Sequence, residues 1–183
     1  MNEKEIKRKS KFLSLILRHN PEVINLKLDN NGWANVDDLL KKSKSKINLS
    51  FKELEFVVKT NNKKRFSFNE DKTKIRANQG HSLKNVDLEL ENTKPPQFLY
   101  HGTVNKFIES IKKIGLQKMN RQHVHLSKDI ETANNVGSRR GKPVILSIQT
   151  LEMYNDGFEF YCSKNGVWLT DNIPVKYIEF KKQ

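Results

Sequence analysis

Two short runs in this chain set imidazoles beside hydroxyls: Leu99-Tyr100-His101-Gly102-Thr103 and, about twenty residues on, His123-Val124-His125-Leu126-Ser127. Each reads as a short strand that ends in groups fit to hold a polar ligand. A ring with a donor and an acceptor, next to a glycine and then a hydroxyl, suits a nucleotide ribose pressed close to main chain. Strands far apart in sequence can bring their ends together, so the pair is a candidate cleft for a nucleotide. A second set is cationic. Arg18-His19 closes a helical run, Arg65 opens a strand-like run, and Arg121 lies in the polar loop Lys118–Gln122. Singly, each has an ordinary explanation: complementing a helix C-terminus, touching a nucleic-acid backbone, or sitting as a solvated loop charge. Together they describe phosphate chemistry. Guanidinium forks grip phosphate oxygens in pairs, and an imidazole beside them can protonate a leaving hydroxyl near neutral pH.

Local signals predict the elements that must position these groups. Residues 10–19 read as a helix halted by Asn20-Pro21, and a second helix starts after Asn35 and carries Val36, Leu39 and Leu40 inward. A third opens on the capping box Ser50-Phe51-Lys52-Glu53, with Leu54, Val57 and Val58 on its inner face. Residues 65–68 and 74–77 then alternate like two strands around Asn69-Glu70-Asp71. Three helices and a hairpin give the order of a winged helix, over residues 1–92. Thr93-Lys94-Pro95-Pro96 can continue neither helix nor central strand, so residues 93–97 read as a linker. Beyond it, residues 98–183 read as a β-rich lobe. Strand 98–101 leads to a helix of about 104–114 closed by Gly115, then to strand 123–127, a short helix from Asp129 and the apolar strand Val144–Ile148. Pieces at 158–162, 167–170 and 175–180 complete it. The fold class is α+β.

Charge narrows the partners. Against 21 Asp+Glu stand 34 Lys+Arg, a formal net charge of +13, and the excess is spread over both halves of the chain. A polyanionic partner, nucleic acid foremost, fits that balance. The single Cys162 excludes an intramolecular disulfide and a cysteine zinc site, and within the apolar run Phe158–Cys162 it reads as a small buried hydrophobe. The histidines lack metal-ligand spacing with carboxylates, which predicts a metal-free mechanism. Gly137–Lys142 lacks the spacing of a phosphate loop, so a Rossmann or P-loop cofactor site is disfavoured. No N-terminal apolar segment or long hydrophobic span stands in the sequence, which predicts a soluble cytoplasmic protein with no membrane partner. Its size predicts a monomer.

Taken in order, several further runs make the pattern specific. Ser10–Glu22 with Leu-Arg-His-Asn-Pro-Glu, then Gly32-Trp33-Ala34, Lys64-Arg65-Phe66, Ile75–Ser82, Tyr100–Thr103, His123–Ser127 and Gly137–Val144 resemble the NAD-dependent RNA 2′-phosphotransferase family over nearly the whole chain. The resemblance implies a winged-helix lobe followed by a lobe of the ADP-ribosyltransferase fold, with NAD as co-substrate. It implies an RNA substrate bearing a 2′-phosphate, of the kind left by some tRNA-splicing pathways. The phosphate attacks the nicotinamide ribose and expels nicotinamide, giving an RNA 2′-phospho-ADP-ribose intermediate. The neighbouring ribose hydroxyl then attacks phosphorus, releasing RNA with a free 2′-OH and ADP-ribose 1,2-cyclic phosphate.

The same resemblance implies a catalytic quartet of Arg18, His19, Arg65 and Arg121. His101, Gly102 and Thr103 would hold the NAD riboses, with His125, Leu126 and Ser127 on the opposite wall and Arg139 at the pyrophosphate. The position that the wider transferase fold fills with Glu falls near Val167, which suits a phosphate dianion that needs no carboxylate base. Two other readings stay open: an ADP-ribosyltransferase acting on terminal nucleic-acid phosphates, and a non-enzymatic winged-helix regulator that senses NAD.

Overall fold

Side-chain caps decide where most of the α-helices begin. The computed structural model describes residues 1–61 and 63–180, which fall into two compact units, Met1–Glu89 and Leu90–Gln183. In the first, helix α1 spans Glu3–Arg18 rather than starting at Ser10. Asn2 accepts from the Glu5 amide while the Glu5 carboxylate accepts from the Asn2 amide, and this box holds two charged turns ahead of the apolar stripe. That stripe, Leu13, Ile16 and Leu17, is fully buried. The helix ends because Pro21 cannot continue it, and the amides of His19 and Asn20 both donate to the Leu15 carbonyl, at 3.0 and 2.8 Å.

Helix α2, Val36–Ser43, is capped by Asn35, and α3, Phe51–Lys59, by the predicted Ser50/Glu53 box. Glu53 has a second task. Its carboxylate also receives the ammonium of Lys9, a lysine only 4% exposed on α1, and that bond, with the Ser50 amide, holds its pKa below the usual range. One side chain thus caps the start of α3 and joins it to α1. Strands β1 (Ala34–Asn35), β2 (Phe66–Phe68) and β3 (Lys74–Ala77) form an antiparallel sheet in the order β1-β3-β2. The pairs Ala34↔Ile75 and Phe66↔Ala77 turn apolar residues onto the helices.

The second unit is built on strand β4, Leu99–Val104, which runs three residues beyond the predicted 98–101. It pairs along its whole length with β7, Pro143–Ile148, from Leu99↔Ile148 to Val104↔Pro143. Pairing, and not apolar pattern, carries the strand through Gly102. Between these two strands lie helix α4 (Ile108–Ile114, led by a 3-10 turn at Asn105–Phe107), short β5 (Leu116–Gln117), β6 (Val124–Leu126) and helix α5 (Ile130–Gly137, capped by Asp129). After β7 come helix α6 (Thr150–Asn155), β8 (Tyr161–Cys162), β9 (Trp168–Thr170), β10 (Asn172–Ile173) and β11 (Ile178–Glu179). The strands form the antiparallel arrays β11-β7-β4, β6-β9-β8 and β10-β5. Helix α6 was not legible in the sequence, since its six residues carry neither a side-chain cap nor a full apolar period. Cys162, expected in the core, is exposed: it stands on the edge strand of its sheet, beyond the buried Phe160. No described helix is long and apolar enough to cross a membrane.

Two close approaches tie β4 to its surroundings. Tyr100 and Ser127 exchange both main-chain bonds, Tyr100 N–H to Ser127 at 2.9 Å and Ser127 N–H to Tyr100 at 2.8 Å, which joins β4 to the end of β6. On the opposite side α5 lies so near that a Cβ on Gly102 would stand 1.8 Å from the Ala133 carbonyl oxygen, while one on Gly137 would stand 3.0 Å from that of Thr103. The glycine is therefore required by the helix behind the strand. Gly102→Ala should destabilise the protein by about 3 kcal/mol or more, beyond ordinary overpacking because the obstacle is main chain. Denaturant unfolding checks this, and an unchanged midpoint would mean that α5 does not seat on β4.

Candidate functional site

In unit Met1–Glu89 the fold brings Arg18, His19 and Arg65 onto one neighbourhood. Arg18 ends α1 and its guanidinium lies 5.8 Å from the ring centroid of Phe66, the residue that follows Arg65. Its Nε and Nη2 are closed off from water. Arg65 is fixed at the mouth of β2 by main chain: its carbonyl accepts from the Asn78 amide at 2.8 Å, and the Asn78 side chain donates to the Lys64 carbonyl at 2.6 Å. Half-buried, the Arg65 guanidinium is pulled below its usual pKa by loss of water, yet far from losing its proton. His19, the C-cap of α1, is exposed and its Nδ1 lies 3.0 Å from the Ser82 hydroxyl, while the Ser82 amide donates to the Arg18 carbonyl at 3.0 Å. Guanidinium and imidazole groups, set by the end of a helix and the start of a strand, are of the kind that binds an oxyanion.

Beneath this set lies a histidine of the run Ile75–Ser82. His81 is fully buried, and its ring nitrogens make no regular hydrogen bond. Burial first, and then the charges of Arg18, His19 and Arg76, push its pKa down to about 4, against a weaker upward pull from the Leu17 carbonyl. A neutral ring is what permits two guanidinium groups and the His19 ring to gather around it. Arg76 is in turn held by stacking on Trp33, 4.5 Å from the ring centroid, and by donation to the Asn31 carbonyl.

In unit Leu90–Gln183 the Tyr100–Ser127 pair sets His101 beside β6. Its Nδ1 lies 3.1 Å from the His125 carbonyl oxygen, which can only accept, so Nδ1 carries the proton and Nε2 keeps its lone pair. Burial lowers the pKa of His101, the His125 carbonyl opposes that, and the charges of Arg121 and Arg140 lower it again. The ring is neutral at pH 7. Arg121 reaches the same place from its loop, with Nη1 3.4 Å from His125 Nδ1, and feels the charge of Arg140. His101, His125, Ser127 and Arg121 are thus brought together. Thr103 is nearly buried and Leu126 belongs to the core, so a ligand there would meet their main chain. Arg139 is exposed on the 3-10 turn Ser138–Arg140. Its neighbour Arg140, also exposed, is the arginine whose charge reaches Arg121 and His101, and sequence reasoning missed it, because nothing in an Arg-Arg pair tells which of the two acts on the site. His123 packs edge-on against Tyr161, and burial lowers its pKa.

The arrangement is that of a protein able to bind phosphate with one group of residues and a nucleoside hydroxyl with another. Comparison with known proteins gives it a place. Residues 4–172 match the family described as RNA 2′-phosphotransferase, Tpt1 / KptA family. A probable RNA 2′-phosphotransferase of Flavobacterium johnsoniae is 63% identical over 182 residues, which cover 99% of this chain and 100% of the relative. Another, of Fusobacterium nucleatum, is 60% identical over 172 residues, covering 93% of this chain and 96% of the relative. A third, of Trichormus variabilis, is 56% identical over 170 residues, 92% and 93% of the two chains. The chain belongs to the RNA 2′-phosphotransferase family.

The buried His81 makes stability depend on pH in a definite direction. Its folded pKa lies below the ordinary value of 6.5, so the unfolded chain binds the proton more tightly, and stability present above 6.5 is lost as pH falls toward 4. At pH 5 this one ring should cost about 2 kcal/mol relative to pH 7. Unfolding measured at both values, for the wild type and for His81→Gln, checks it: the variant's loss should be smaller by that amount, and identical profiles would mean that His81 is not the group responsible.

Proposed function

We propose that this protein removes an internal 2′-phosphate from RNA by transferring it to NAD, releasing nicotinamide, RNA with a 2′-hydroxyl and ADP-ribose 1,2-cyclic phosphate. Family membership supports the RNA 2′-phosphate as substrate. One observation in the chain carries the NAD part: His101 is held neutral, with Nδ1 on the His125 carbonyl and Nε2 left as an acceptor, beside the Arg121 guanidinium. An acceptor of fixed tautomer next to cations suits a nucleotide that brings both sugar hydroxyls and phosphates. NAD supplies the ribose to which the phosphate moves. His101 and Ser127 orient its sugar, while Arg139 and Arg140 face its pyrophosphate. We read the three helices and the β2–β3 hairpin as a winged-helix lobe, and the second unit as an ADP-ribosyltransferase-like lobe.

An oxygen of the RNA 2′-phosphate bonds to the anomeric carbon of the nicotinamide ribose as the bond to nicotinamide breaks, nicotinamide leaving with the electron pair. The adjoining ribose hydroxyl then gives up its proton and bonds to phosphorus, and the RNA 2′-oxygen departs with the electron pair of its bond to phosphorus and takes up a proton. Arg18, Arg65 and Arg121 bind the phosphate and stabilise the charge that builds on it, as preorganised donors do. His19, the exposed imidazole of the set, supplies the proton to the leaving oxygen.

Purified protein given NAD and an oligonucleotide with one internal 2′-phosphate should release nicotinamide only when that phosphate is present. Persistence of the phosphate would overturn the reading, and accumulation of an ADP-ribosylated RNA would replace it with transfer that stops after one step. Arg65→Ala and Arg121→Ala should each lower turnover about a hundredfold to a thousandfold, the scale of one lost transition-state donor, with NAD binding retained in Arg65→Ala. Single-turnover kinetics and NAD titration separate the two effects, and wild-type rates in either variant would remove that arginine from the mechanism.

A further inference from the structure

A groove of about 1220 Å³ opens in unit Leu90–Gln183 between α4, the 3-10 turn before it, the Ser138–Arg140 turn and β7. Four cations line it, Lys106, Lys112, Arg140 and Lys142, against one carboxylate, Glu109. Glu109 accepts from Lys112 at 2.9 Å, in an exposed pair of the kind that contributes little and exchanges readily for another anion. Lys106 and Arg140 both lie against the Phe107 ring, 5.0 and 5.8 Å from its centroid, so one aromatic holds two like charges near each other. The half-buried Val144 and Phe180 give the groove an apolar floor. Lys106 and Lys112 stand six residues apart, roughly 9 Å along a helical rise, which makes a row of cations and not a point.

A row of ammonium and guanidinium groups over an apolar floor that includes an aromatic ring is the chemistry that tracks a single nucleic-acid strand. The cations meet successive phosphates and the floor receives base faces. Arg140 belongs both to this row and to the charges around His101 and Arg121, so the groove begins where the nucleotide chemistry is placed. We propose that this groove carries the phosphates of the RNA strand leading away from the reacting nucleotide, so that turnover depends on RNA length. The inference rests on RNA being the substrate. It adds a second RNA-binding surface, and with it a specificity for longer strands.

The test compares the wild type with the triple variant Lys106→Glu, Lys112→Glu, Lys142→Glu, all exposed side chains outside the catalytic set. Two substrates carry the same 2′-phosphate, one a trinucleotide and one of about 20 nucleotides, longer than a single binding groove spans. The variant should turn over the trinucleotide within about twofold of wild type and lose about tenfold to a hundredfold in kcat/KM on the long RNA. Its salt slope on the long RNA should fall by about 2, the share of three single-strand phosphate contacts. Equal loss on both substrates, no loss on either, or a raised KM for NAD alone would overturn the assignment. Should the wild type act on neither RNA, the proposed function fails while the groove is still tested. Binding of an unphosphorylated strand of the same length, followed by fluorescence polarisation, must then weaken in the variant, and equal affinity would overturn the groove as well.

Discussion

In the second unit, the two hydrogen bonds exchanged by the main chains of Tyr100 and Ser127 set the histidine side of the candidate nucleotide site. They hold the end of β6 against β4, and from that follow the reach of His101 Nδ1 to the His125 carbonyl, the tautomer of the ring and the direction of its free lone pair. Helix α5 presses on β4 from behind at a distance only glycine allows, so Gly102 and Gly137 let strand and helix meet main chain to main chain. A strand clamped on both sides moves little. That rigidity is what a group needs if it is to orient a sugar rather than merely touch it.

The cations depend on groups that stay uncharged. Two guanidinium groups and a histidine crowd the interior ring of His81, and two more guanidinium groups act on His101. In each case burial keeps the imidazole neutral, which limits repulsion among the charges around it. The basic excess of the chain has the same logic at larger scale. The Phe107 ring gathers Lys106 and Arg140 at a groove with one carboxylate among its lining residues.

Much of this was readable from residue types. Ser50 and Glu53 announced α3, Asn20-Pro21 announced the end of α1, and Gly115 the end of α4 with a φ of 73°. The meeting of the two histidine-bearing strands followed from their matched endings. What stayed hidden shares one physical cause, dependence on partners distant in sequence. Gly102 was legible as a glycine, but its reason, the Ala133 carbonyl, belongs to a helix thirty positions on. Cys162 sits in an apolar run, yet an edge strand exposes it. That Arg140 is the arginine of its pair whose charge reaches Arg121 has no local signal in the sequence. The start of α1 is the exception: Asn2 and Glu5 form a local capping box, and the charged turns behind it obscured the signal.

The proposed nucleotide role requires that β4 present a neutral His101 of fixed tautomer. Long-range ¹H–¹⁵N correlation spectra of the histidine rings at pH 7, recorded before and after adding NAD alone, test it most directly. The account predicts a proton on Nδ1 of His101, an unprotonated Nε2 whose resonance moves when NAD is added, and a His19 ring that does not respond. A cationic His101, a proton on Nε2, or a His101 spectrum indifferent to NAD would contradict it.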